Sequence, residues 1–232
     1  MRILGSIVLF FSLFLCLTTH AQISIGIKGG PDFSKFINAV QGDDGNGNIS
    51  RLNSGTNTGF YGSVFVDIPL DSGKRHMFYL RPAVEYIGAG GKMNPDGDYY
   101  NANGFQPNTK YTLHYVDVPV EFVFSPNFDW GRPVVGLGLY AGALVNGTIK
   151  TAGSSSQSVL IGNAVTDNFQ RVDFGYTFTI GLATKVGFMF GVDYQHGFLQ
   201  VVPTNSTSQS NAPRMNTRNS IWGLHLGWIF KL

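Results

Sequence analysis

Charged residues recur at alternating positions within short apolar segments of this chain. Lys28, Arg81 and Arg171 stand against Asp67, Glu85, Asp117, Glu121, Asp173 and Asp193, and His225 follows in the same phase. Gathered on one side of a sheet, such a set could pass protons or ions, or form a polar site. It could also neutralise itself. Buried charges must pair or change protonation, and an Arg–carboxylate network fills space as it does so. The paired, space-filling arrangement is the preferred reading.

Other constellations are weaker. A hydrolase needs a nucleophile, a base and an acid that orients the base. His76, His114, His196 and His225 are the histidines after His20, and no spacing selects a partner for any of them. Asp44-Gly-Asn-Gly-Asn-Ile49 imitates the start of a calcium loop. It fails at Ile49, where glycine is needed, and at Gly55, where a bidentate glutamate belongs. Gly136-x-Gly138-x-x-x-Gly142 is one residue too long for a dinucleotide fingerprint. The expectation is therefore no catalytic set, no metal site and no cofactor.

The elements that must position these side chains read most clearly in Ser220–Leu232. Trp222, Leu224, Leu226, Trp228, Phe230 and Leu232 form one alternate row; Ile221, Gly223, His225, Gly227, Ile229 and Lys231 form the other. Period two means an extended strand with two different faces. An apolar, Trp-bearing row opposite a glycine-rich polar row suits a membrane barrel, bulky side to lipid and small or polar side to the lumen.

Seven further segments repeat the pattern: Ile23–Ser34, Thr58–Pro69, His76–Gly90, Lys110–Phe124, Pro133–Thr148, Gln170–Ala183 and Val186–Leu199. The connections alternate long and short, as hairpins crossing a bilayer do, with short periplasmic turns and long external loops. This rhythm puts His114 and His196 toward the outside and His225 in mid-barrel. Closure is required, because an open sheet edge has no hydrogen-bond partner in hydrocarbon. A lipocalin-like soluble barrel would turn its apolar row inward. The expected lipid-facing aromatic girdle is Phe60, Tyr194, Trp222, Trp228 and Phe230. A hairpin hidden in the first or third long loop would raise the strand number to ten.

Composition agrees. Charged residues make up 13% of the chain, about half the usual share of a soluble domain. Met1-Arg2, an apolar run to Leu17 and Thr18-Thr19-His20-Ala21 read as a cleaved secretory signal over residues 1–21. The single cysteine, Cys16, lies inside that apolar run, so a mature chain from Gln22 has no disulfide and no thiolate chemistry. Without Arg2, 15 basic residues face 14 acidic ones, which gives no basic face for nucleic acid.

Several segments resemble the PorT-like outer-membrane β-barrel family of Gram-negative bacteria. They are Gly26-Ile-Lys-Gly-Gly-Pro-Asp-Phe-Ser34, Thr58-Gly-Phe-Tyr-Gly62, Leu80-Arg-Pro-Ala-Val-Glu-Tyr86, Tyr115-Val-Asp-Val-Pro-Val120, Gly138-Leu-Tyr-Ala-Gly142 and Asp173-Phe-Gly175. The resemblance implies an outer-membrane barrel without catalytic residues. One branch of that family is linked to protein secretion.

The expectation is an all-β, eight-stranded, antiparallel up-and-down transmembrane barrel over residues 22–232. Its expected role is a non-enzymatic scaffold, surface-binding module or accessory of an envelope or secretion assembly. Its expected partners are outer-membrane lipid and an envelope or secretion-assembly protein. The alternatives are an outer-membrane enzyme acting on lipid or peptide through His114 or His196, and a small-solute channel. An eight-stranded interior is just wide enough for side chains, whereas open channels need about 16 strands.

Overall fold

The computed structural model describes residues 23–37, 41–43, 49–51, 54–71, 76–92, 108–162, 167–201 and 217–231. The expected signal segment and most of the Asp44–Ile49 loop lie outside them. Eight long strands form the wall: β1 (Ser24–Ile37), β2 (Asn57–Pro69), β3 (Phe78–Lys92), β4 (Thr109–Phe124), β5 (Gly131–Thr151), β6 (Val172–Thr184), β7 (Phe188–Gly197) and β8 (Arg218–Lys231). Each pairs antiparallel with the next, and β1 pairs with β8, so the sheet closes on itself. Lys28, for example, lies opposite Ser63 of β2 on one side and Gly227 of β8 on the other.

The first long loop does contain a hairpin. Gln41–Asp43 pairs with Ile49–Arg51, but as a separate two-stranded sheet, so the barrel itself has eight strands. Gln157–Ser158 adds a short rung to the outer end of β5 at Thr148 and Ile149.

The alternation predicted from sequence governs which way side chains point. On β4, Tyr115, Asp117, Glu121 and Val123 are buried, while Val116, Val118, Val120, Phe122 and Phe124 are exposed. On β3 the alternation lapses from Ile87 to Gly91, all of them buried, and two further irregularities lie in the ladders. The β2–β3 ladder stops at Phe65↔Ala83 and resumes at Ile68↔Leu80. Pro82, which has no N–H to give, lies in that gap. On β5, Tyr115 faces Leu144 but His114 faces Asn146, so Val145 is an extra residue and the strand changes phase there. Asn146, inward by simple alternation, is exposed as a result.

Space inside is tight. A Cβ added to Gly26 would fall within the Phe65 ring opposite, and one at Gly223 would meet Tyr61 at 2.7 Å. These glycines are the room into which the large interior rings fit. The turn between β6 and β7 needs glycine for a different reason. Gly187 has φ 101, and its N–H reaches the Thr184 carbonyl at 3.1 Å.

Two apolar clusters cap the interior. Phe65, Tyr79, Val123, Val134, Met189 and Ile229 pack near the short-turn end. Phe36, Tyr111, Leu113, Leu144 and Ile221 pack at the long-loop end. There they are joined by Val159, Phe169 and Val201 from the loops.

Candidate functional site: the polar barrel interior

Between the two caps the inward rows meet as a hydrogen-bonded network centred on Asp193 of β7. Its Oδ1 accepts from Lys28 Nζ at 2.8 Å and from Thr179 Oγ1 at 2.7 Å. Its Oδ2 is met by the Tyr61 hydroxyl and, at 2.7 Å, by His225 Nδ1. Four strands thus send a polar group to one carboxylate. Thr179 Oγ1 also lies 2.8 Å from Glu121 Oε1, so Glu121 joins the same cluster.

Nearer the short turns, Arg81 forks onto Asp67, with Nε to Oδ1 at 2.6 Å and Nη2 to Oδ2 at 3.1 Å. Arg132 reaches the same carboxylate at 3.2 Å. A fixed, planar, five-donor cation suits a dry carboxylate because it supplies two parallel bonds at once. The Arg81 guanidinium also sits 4.3 Å from the centre of the Phe65 ring.

Toward the long loops the carboxylates outnumber the cations. Asp173 accepts from Asn219 at 2.9 Å, Tyr140 at 3.2 Å and its neighbouring Phe174 N–H at 2.8 Å. Glu85 accepts from Gln195 at 2.7 Å. Asp32 accepts from the Gly88 N–H at 3.1 Å. Asp117 lies directly opposite Glu85 across the β3–β4 ladder, and both are buried.

The interior therefore gathers Lys28, Asp67, Arg81, Glu85, Asp117, Glu121, Asp173, Asp193 and His225. It does not gather Arg171, which is exposed. β6 begins at Val172 rather than at Gln170, so Arg171 stands past the end of the wall instead of facing the lumen. Sequence reading also left Asp32, Tyr61, Arg132, Tyr140, Thr179, Gln195 and Asn219 out of the charged set, although the period-two phase turns Tyr61, Thr179 and Gln195 inward. The period-two signal covers Asp32, because the even-numbered inward phase of Gly26 and Lys28 runs on through it. The neighbouring Pro31 hides that continuity.

The outer surface carries the apolar rows. Phe60 is 74% exposed and Trp222 is 50% exposed. Both stand toward the long-loop end, while Trp228 and Phe230 stand toward the short turns, also exposed. Tyr194 is half-buried because its ring packs 4.5 Å from Trp222. The external histidines face the same way. His114 stacks on Tyr86 at 5.6 Å between centroids, and His196 stacks on Tyr176 at 5.2 Å while meeting the Tyr194 hydroxyl at 3.2 Å. Both belong to strand faces and aromatic packing, not to loops. Among the described residues, no group of three His, Cys, Asp or Glu side chains is placed to hold a metal ion.

The family described as outer membrane protein beta-barrel domain matches residues 19–202. The chain belongs to this family. It is accordingly an integral protein of the outer membrane. No curated protein matches the chain.

Solved structures similar to this outer-membrane barrel include the attachment invasion locus protein Ail of Yersinia pestis. It is 12% identical, covers 89% of this chain and 98% of its own, and has a TM-score of 0.40. Neisserial surface protein A is 15% identical over 92% of this chain and 99% of its own, with a TM-score of 0.42. OprG of Pseudomonas aeruginosa is 9% identical over 92% and 98%, with a TM-score of 0.38.

Proposed function

We propose that this outer-membrane barrel is a non-enzymatic envelope component that acts through its surface. It serves as a scaffold, a surface-binding module or an accessory of an envelope or secretion assembly. The Asp193 cluster is the observation that carries this reading. Donors from β1, β2, β6 and β8 converge on one carboxylate in mid-barrel, and an apolar cluster closes each side of it. A solute crossing the lumen would have to break that cluster and leave buried charge unpaired.

Two measurements test the reading. Planar-bilayer recordings of the purified barrel should show no conductance steps, and regular ion-carrying steps would sink the filled interior. Cross-linking in intact cells should yield a discrete adduct with another envelope protein. Recovery of the uncross-linked chain alone, with normal envelope integrity in a deletion strain, would sink the assembly role. An enzyme would instead announce itself as lipid or peptide turnover that disappears in His114→Ala, His196→Ala.

A further inference from the structure

Lys92, Lys110 and Lys150 stand in direct cross-strand register at the outer ends of β3, β4 and β5. Lys92 is opposite Lys110, and Lys110 is opposite Lys150. Side chains so placed are about 5 Å apart at Cβ, and like charges there repel. Lys92 and Lys150 are exposed and Lys110 is half-buried. Among the described residues, none of the three has a carboxylate within ion-pair reach.

All three lie in the outward phase. Lys92 shares the even-numbered phase of the exposed Val84 and Tyr86, with the buried glycines Gly88 and Gly90 between them, and Lys110 shares that of Val116 and Val118. Lys150 shares their face only because of the extra residue at Val145. Before it, the odd-numbered residues of β5 point out; after it, the even-numbered ones do. Without the bulge Lys150 would turn toward the lumen. A bulge that re-aims a side chain in this way is a built feature of a strand.

The row also has a definite depth. The apolar outer surface of these strands ends at Val116, Tyr86 and the His114 ring stacked on it. Lys110 lies four residues beyond His114 on β4, about 13 Å along the strand. With strands tilted by about 40° that is about 10 Å above the apolar boundary, within a lysine's downward reach of lipid headgroups. The row spans two ladder spacings, about 10 Å. That is wider than one phosphate needs and suits two phosphates carried on one sugar scaffold.

We propose that Lys92, Lys110 and Lys150 hold the phosphates of a phosphorylated glycolipid in the outer leaflet. The site goes beyond the filled-interior reading: a conducting lumen would refute that reading and leave this row untouched.

The test uses the full barrel in phosphatidylcholine nanodiscs doped with bisphosphorylated lipid A, with lipid retention read by native mass spectrometry. K92Q/K110Q/K150Q is expected to retain it about 100-fold less tightly than the wild type, and K92R/K110R/K150R should retain it as the wild type does. If the triple glutamine variant does not fold, K110Q alone should weaken retention about fivefold. Dephosphorylated lipid A should not be retained by any form. Equal retention by wild-type and folded glutamine forms would overturn the proposal, as would equal retention of the dephosphorylated lipid. Lysine-dependent binding of soluble inositol hexakisphosphate as tight as that of the lipid would assign the row to a soluble polyanion and also overturn it.

Discussion

Lys28 of β1 and Asp193 of β7 meet at 2.8 Å although 165 residues separate them in the chain. β8 lies between their two strands, so the pair spans the interior rather than one ladder. Removing the cation leaves a buried carboxylate without its charge partner, a change that costs about 3–5 kcal/mol. Lys28→Met should therefore lower stability by that amount in urea unfolding from lipid vesicles. Pairing it with Asp193→Asn should recover most of the loss. An unchanged midpoint in Lys28→Met would mean that the ion pair does not hold the barrel.

Thr179 offers one hydroxyl proton to two carboxylates, Glu121 at 2.8 Å and Asp193 at 2.7 Å. A hydroxyl donates once, so the second contact is complete only when a carboxyl proton supplies it. Glu121→Gln brings an N–H donor to the same place and should stay within about 1 kcal/mol of the wild type. Thr179→Val keeps the shape, strips the donor and should cost about 1–3 kcal/mol. The same urea transitions check both, and the reverse ranking would refute this hydrogen count.

Gly26 faces Phe65 across the β1–β2 ladder, and a Cβ there would fall within the ring. Gly26→Ala should cost about 1–3 kcal/mol through overpacking. Phe65→Leu in the same chain should recover part of that cost, because the two sites share one space. Additive losses in the double variant would show that the glycine is there for another reason.

The strand count and the facing of each row were legible because every strand repeats two chemically distinct alternate sets. Trp222 and His225 differ in phase, and that alone sorts them outside and inside. Partners were not legible. Which inward groups touch depends on strand tilt and on who lies across the barrel, so Lys28 and Asp193 carry no mutual signal in sequence. Phase changes were hidden for a similar reason. Nothing in Ala143-Leu144-Val145-Asn146 announces an extra residue, since all but Asn146 suit either face. Arg171 was misplaced by two residues of strand boundary, enough to move a side chain from wall to rim.

Trp222 and Trp228 point out at opposite ends of β8, half-exposed in the isolated barrel. If the apolar row touches acyl chains, fluorescence from variants keeping only Trp222 or only Trp228 of the chain's three tryptophans should be quenched by brominated lipids. Bromine near the headgroup end of the chain should quench more than bromine near the bilayer midplane, because interfacial aromatics sit at the boundary. Quenching by aqueous iodide but not by brominated lipid would place these rings in water.

Asp71, in the short turn between β2 and β3, lies outside the membrane-crossing wall. Slight burial works to raise its carboxyl. The Met77 N–H at 2.8 Å and His76 Nδ1 at 2.8 Å outweigh that and hold it below the usual carboxylate range. An unfolded aspartate titrates at about 3.9. The turn's contribution is therefore complete above that pH and is lost as pH falls through the lower folded value. Carboxyl-carbon NMR of the barrel in micelles should give Asp71 a midpoint below the ordinary one. Asp71→Asn should remove the corresponding acid-side change at the Met77 amide. A midpoint at or above the ordinary value would mean that the Met77 and His76 contacts do not form in the membrane-embedded protein.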